Sequence, residues 1–247
     1  MTVVRLRKFG DLDARVTGGT DRAGGGDGPV VVLLHGFGAP GDDLLPLGRV
    51  LAGARGAPAG TRFVFPEAPV SLGSAYAGGR AWWWIDLEAR MRRRAAGETA
   101  DTESTPEGLA ESRAKVQSLL AEVESVLRPP PGKLVLGGFS QGAMLSLDVA
   151  LHSTLPLAGL VLMSGTRIAG REWAPRFESR RGLPVFMSHG QIDELLPFAV
   201  SERLRDTLAE HGMTATWVPF RGGHAIPPPV IEGVGSFLQR TLGAPGA

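Results

Sequence analysis

Apolar residues along the chain come in two arrangements: short runs, and longer segments in which they return every three or four positions. Pro29 to Leu34 (PVVVLL), Arg62 to Phe65, Lys133 to Leu136, Gly159 to Met163, Leu183 to Met187 and Thr214 to Val218 are such runs. They are too short for helices, and their lack of polar alternation fits strands covered on both faces. Val3 to Leu6 and Ala14 to Val16 predict an antiparallel edge. Val116, Leu119, Leu120, Val123 and Leu127 make one stripe on a helix that Thr105 and Pro106 start and Pro129, Pro130 and Pro131 stop. Further helices are expected near Asp42 to Leu51, Gln141 to Leu151, Phe198 to His211 and Pro228 to Leu242. Strand and helix alternate, so the fold class is α/β, a mostly parallel central sheet with helices on both faces.

Two stretches break this rhythm. Gly18 to Gly28 is glycine-rich and polar and reads as a flexible loop. Glu88 to Ser104, carrying Arg90, Arg92, Arg93 and Arg94, reads as a solvated surface segment in preference to a lid: a surface helix, a flap or a disordered insert.

A chain of 247 residues with 43% apolar content can bury one core, so residues 1–247 are expected to form a single domain with a charged insert near 88–104. A formal net charge of +1 argues against nucleic acid or an anionic membrane as partner and for a small molecule. The absence of cysteine excludes disulfides, thiolate metal sites and a cysteine nucleophile. No run approaches the roughly 20 apolar residues of a membrane span. Met1 to Phe9 lacks the apolar core of a signal peptide, so a cytoplasmic location is expected.

The strongest chemical signal is Gly138-Phe139-Ser140-Gln141-Gly142, a G-x-S-x-G between a predicted strand and a predicted helix. A serine at that sharp turn is lifted above the sheet, and the helix N-terminus beside it favours the oxyanion of acyl transfer. A serine hydroxyl needs a base, and 5 histidines compete. His152 and His211 lie on helices as surface or partly packed residues, and His35 and His189 end strands, where turns are common. His224, in Arg221-Gly222-Gly223-His224, occupies the loop between the last strand and the last helix, where the α/β-hydrolase fold presents its base. The order Ser, acid, His then places the acid at Asp193, with the adjacent Glu194 as its rival. Asp148 and Asp206 fall inside helices and read as solvated charges. Oxyanion donors are expected from the backbone N–H of Gln141 and, after Leu34, of Phe37. Trp82, Trp83 and Trp84 are core aromatics of which part could line a substrate pocket, and Asp86 is structural.

LHGFGAPGDDL (Leu34 to Leu44), GGRAWWWIDL (Gly78 to Leu87), TPEGL (Thr105 to Leu109), LGGFSQGAMLSL (Leu136 to Leu147), VLMSGT (Val161 to Thr166), HGQIDELLP (His189 to Pro197) and GGHAIPP (Gly222 to Pro228) resemble the phospholipase/carboxylesterase family of α/β-hydrolases. That family includes acyl-protein thioesterases and small bacterial carboxylesterases. The resemblance implies a triad of Ser140, Asp193 and His224, oxyanion donors at Phe37 and Gln141, no metal, no organic cofactor, and an open site without a large cap domain. The tryptophan triplet and the arginine-rich 88–104 segment depart from the family pattern and bear on substrate size and access.

The expected reaction is hydrolysis of short- to medium-chain carboxylic esters through an acyl-enzyme on Ser140, rising toward mildly alkaline pH as the histidine loses its proton. The alternatives are an acyl thioesterase or lysophospholipase on the same triad, and, from another class, a binding module that kept the fold without catalysis. The sequence leaves oligomeric state open.

Overall fold

The computed structural model describes residues 3–53 and 56–243. In chain order its elements are β1 (Arg5–Phe9), β2 (Leu12–Gly19), β3 (Ala23–Gly25), β4 (Val30–Leu34), α1 (Leu45–Leu51), β5 (Arg62–Pro66), β6 (Val70–Ser71) and β7 (Arg80–Ala81). There follow α2 (Leu87–Ala95), α3 (Leu109–Leu127), β8 (Leu134–Phe139), α4 (Gln141–Leu151), β9 (Gly159–Met163), α5 (Gly170–Trp173), β10 (Pro184–Gly190), α6 (Phe198–Glu210), β11 (Thr214–Phe220) and α7 (Pro228–Leu242).

The short apolar runs form the parallel strands of a sheet ordered β1-β2-β5-β4-β8-β9-β10-β11, with β3 beside β2 and β11 at the far edge. From β5 to β11 every pairing is parallel, while β1 and β2 make the antiparallel edge. Alternate residues of one strand feed opposite cores. Val30, Val32 and Leu34 pack with apolar residues of α3, α4 and α6, and Val31 and Leu33 pack with those of α1 and α7. Both faces are therefore covered, which is why these strands carry no polar alternation.

Two expectations change. Gly18 to Gly28 is not a loose loop: β2 runs through Gly19, and Ala23–Gly25 pairs with it. The ordering is local and tertiary at once. Asp21 Oδ1 accepts the N–H groups of Ala23 (2.8 Å) and Gly25 (2.7 Å), and the buried Arg62 guanidinium donates to the carbonyls of Gly26 (2.7 Å), Gly28 and Leu127. Gly19 has a φ of 73°, and a Cβ there would stand 2.1 Å from the Gly25 carbonyl oxygen, so the close pairing depends on glycine. Of the possibilities for 88–104, a surface helix is what forms. Asp86 starts α2 by accepting the Ala89 N–H at 2.8 Å, and irregular chain follows. The Arg94 side chain lies outside the described set.

Asp148 is the second correction. Its side chain is not a solvated helix charge but wholly buried. It accepts from Arg113 Nε (2.7 Å) and Trp173 Nε1 (2.8 Å), while Arg113 also reaches Glu172 (2.7 Å), and His152 Nε2 lies 2.9 Å from Glu172. The network joins α3, α4 and α5 behind the sheet. Helical periodicity placed Asp148 on α4 but could not show that α4 is covered all round.

Because Asp148 sits in a low-dielectric interior, removing its cation leaves a charge that water cannot reach. Arg113→Ala is expected to lower unfolding stability by about 3 kcal/mol. Urea denaturation at neutral pH checks this, and a loss under about 1 kcal/mol would show that the pair carries little.

Candidate active site

The turn between β8 and α4 is set by close packing. Ser140 has φ 55° and ψ −117°, a strained conformation held by its N–H to the Met163 carbonyl (2.9 Å) and by its own carbonyl, which accepts from Ala143 (3.0 Å) and Met144 (3.1 Å). Strand β4 runs so near that a Cβ on Gly142 would stand 2.1 Å from the Leu34 carbonyl oxygen, and one on Gly138 2.4 Å. Both glycines of the G-x-S-x-G are thus required by contact with a second strand. As first residue of α4, Gln141 has a backbone N–H without an intrahelical acceptor.

The Gln141 side chain has a role that sequence reading missed. It is fully buried, its Oε1 accepts the Trp82 N–H (2.9 Å) and its Nε2 donates to the Trp83 carbonyl (2.8 Å). Trp82 in turn donates its indole N–H to the His35 carbonyl (2.9 Å), and Ser112 Oγ donates to the Trp82 carbonyl. His35 is buried, which pushes its pKa down and keeps it neutral. Its Nε2 accepts the Ala68 N–H (3.1 Å), so the proton sits on Nδ1, which donates to the Gly36 carbonyl at 2.8 Å. Trp82 and His35 therefore brace the 36–38 loop that carries Phe37. Trp82 lines neither the cavity that holds Ser140 nor the one adjoining it, whereas Trp83 and Trp84 line the adjoining one. Trp84 is 59% exposed, in edge contact with Phe37 and Tyr76.

Asp193 and His224 come from loops after β10 and β11 that are stitched together. Gln191 N–H donates to the Phe220 carbonyl (2.9 Å) and Ile192 N–H to that of Gly222 (3.1 Å). Asp193 is buried; its Oδ1 accepts the N–H groups of Leu195 (2.9 Å) and Leu196 (2.8 Å), and its Oδ2 lies 2.7 Å from His224 Nδ1 and 3.3 Å from His189 Nε2. Burial alone would raise its pKa, but hydrogen bonds from His189, His224 and Leu196 outweigh it and hold the carboxyl far below the usual range. The rival Glu194 is exposed on the cavity wall.

With Nδ1 engaged by a carboxylate, His224 has Nε2 left for a reacting group. Its ring centroid lies 4.7 Å from that of Phe139, next to Ser140. Ser140, His224 and Phe37 line one cavity of about 460 Å³, together with Phe139, Met144 and Leu195. Among the described residues no group of three or more His, Asp or Glu side chains is placed to hold a metal ion, and no helix is long and apolar enough to cross a membrane.

A family model described as phospholipase/carboxylesterase matches residues 23–242. The chain is similar to acyl-protein thioesterase 1 of Eremothecium gossypii, at 29% identity over 86% of this chain and 88% of that protein. It is also similar to acyl-protein thioesterase 1 of Yarrowia lipolytica, at 30% identity over 71% and 74%. The crystal structure of esterase PE8 superposes with a TM-score of 0.76 at 28% identity, covering 94% of this chain and 99% of that one. A carboxylesterase from Mesorhizobium loti shares the fold at TM-score 0.71 and 16% identity, covering 95% and 98%.

A carboxyl whose folded pKa is depressed stabilises the protein above its unfolded pKa of about 3.9 and loses that contribution as pH falls toward the folded value. The stability gap between wild type and Asp193→Asn should therefore be full above about pH 5 and narrow at pH 3. Urea midpoints at pH 7 and pH 3 measure it; a gap independent of pH would contradict the ionised state of Asp193.

Proposed function

The chain belongs to the phospholipase/carboxylesterase family, and from that premise we propose that it is a serine carboxylesterase acting on short- to medium-chain esters with Ser140, His224 and Asp193 as its catalytic residues. That it is a hydrolase of the esterase/thioesterase type follows from the family and from the relatives. The observation that carries the finer reading is the 2.7 Å hydrogen bond from His224 Nδ1 to a buried Asp193, made by a histidine that shares a cavity with Ser140.

In this reading Ser140 Oγ attacks the ester carbonyl while His224 Nε2 takes the hydroxyl proton, and Asp193 stabilises the imidazolium without accepting that proton. The carbonyl oxygen gains the negative charge and receives the N–H groups of Gln141 and Phe37. Collapse of the tetrahedral intermediate breaks the bond to the alcohol, which leaves with the proton from His224. Water then attacks the acyl-enzyme, gives its proton to the same nitrogen, and the acid departs as Ser140 recovers its own. The nucleophile, the base and the oxyanion donors all belong to the chain, so the reaction as proposed calls for no cofactor.

A thioester substrate is the second reading, favoured by the relatives named acyl-protein thioesterase 1. The attack is the same; a thiolate leaves more readily than an alkoxide, and leaving-group contacts decide the preference.

Ser140→Ala should lower kcat/KM on p-nitrophenyl butyrate by at least about 10⁴-fold with an unchanged melting temperature. Turnover retained in that variant would defeat the assignment. A fluorophosphonate probe is expected to label wild type at Ser140 alone, and a folded protein that stays unlabelled would favour a non-catalytic binding module. Matched oxygen and sulfur esters of one acyl group should give a kcat/KM ratio that separates the two readings: tenfold or more in favour of sulfur replaces carboxylesterase by thioesterase.

A further inference from the structure

His189 is the penultimate residue of β10, and its side chain is fully buried. At a strand end it reads as a turn position, and no step of the proposed reaction uses it. Its Nε2 lies 3.0 Å from the Leu196 carbonyl oxygen and 3.3 Å from Asp193 Oδ2. Both oxygens are acceptors, so Nε2 carries a proton; a lone pair there would face theirs. Nδ1 is buried and has no hydrogen-bond partner among the described residues. A leucine would fill the space without leaving a ring nitrogen unpaired, so the use of an imidazole here lies in Nε2.

The ring is anchored to the body of the fold. His189 pairs in register with Pro219 of β11, and its ring centroid stands 6.1 Å from that of Phe198 at the start of α6, which stands 5.8 Å from that of Trp217. From that anchor it closes the acid loop. Leu196 gives its N–H to Asp193 Oδ1 at 2.8 Å, while its carbonyl takes the proton of His189. On Oδ2 two histidines meet, His224 through Nδ1 at 2.7 Å and His189 through Nε2. A carboxylate rotating away from His224 would therefore lose His189 and the backbone donors on Oδ1 as well. Against the cost of burial, His189 is foremost among the groups that hold Asp193 ionised.

We propose, resting on the serine-hydrolase reading above, that His189 is a positioning residue for acyl transfer: its Nε2–H clamps Asp193 Oδ2 and the Leu196 carbonyl, and so fixes the carboxylate that aims His224 at Ser140. It touches no reacting atom and acts through Asp193. Without the clamp the carboxylate is free to turn, and His224 turns with it. Misplacing a catalytic group by roughly 1 Å costs on the order of 10²-fold in rate.

His189→Leu removes the donor, and His189→Gln returns an N–H near the same place. On p-nitrophenyl butyrate, leucine is expected to lower kcat by about 10- to 100-fold with KM within about twofold of wild type, and glutamine to restore most of that loss. In an Asp193→Ala background there is no carboxylate to clamp, so the same leucine substitution should change kcat by less than about twofold. A residue that served folding alone would cost the same in both backgrounds. Losses that add overturn the proposal, as does a leucine variant with kcat within about threefold of wild type, or a glutamine variant no faster than leucine. In each of those cases the esterase reading stands. Where leucine prevents folding, His189→Met, which also lacks a donor, takes its place in both backgrounds and decides by the same criteria. A wild type that cleaves no ester overturns this proposal together with the reading on which it rests.

Discussion

A carboxylate removed from water must be held by donors, and at Asp193 this constraint organises the region around it. Leu195 and Leu196 supply backbone donors from the carboxylate's own loop, and His224 supplies one from the next. For His224 to reach it, the loops after β10 and β11 have to lie against each other. That contact is so close that a Cβ on Gly190 would stand 2.2 Å from the Gly223 carbonyl oxygen. The same hydrogen bond fixes which imidazole nitrogen is left for chemistry.

The other half of the site is braced through backbone and buried polar groups. Gln141 holds the backbone at Trp82 and Trp83, Trp82 holds the carbonyl of His35, and His35 spans Gly36 and Ala68. In the proposed reaction the 36–38 loop donates to a developing oxyanion; such donors act best when they do not reorganise, and this chain of bonds braces the loop against doing so. The tryptophan triplet divides accordingly: Trp82 is part of the brace, Trp83 faces the adjoining cavity from the core, and Trp84 stands at the surface.

Legibility in the sequence followed the range of the interaction. The six parallel strands and α4, α6 and α7 were readable because each is written in local periodicity, and the sheet's covered faces require apolar runs. Ser140 stood out because the elbow needs glycines within two residues of it. Asp148 was misread because nothing in the α4 heptads reveals Arg113 and Trp173 approaching from α3 and α5. The Gly18 to Gly28 segment was misread for a similar reason: its order comes from Arg62, a residue of β5 whose cation is aimed inward at carbonyls.

By itself the sequence determined the alternation of elements, the parallel sheet, the elbow and the chain order of serine, acid and histidine, since these are properties of residue spacing and type. Only tertiary structure decided that Asp193, not its neighbour Glu194, meets His224, that Gln141 acts through its side chain as well as its backbone, and that the arginine-rich insert walls the adjoining cavity. Each of those depends on where two distant loops or helices come to rest against the same sheet edge. Spacing along one strand or helix carries no record of that.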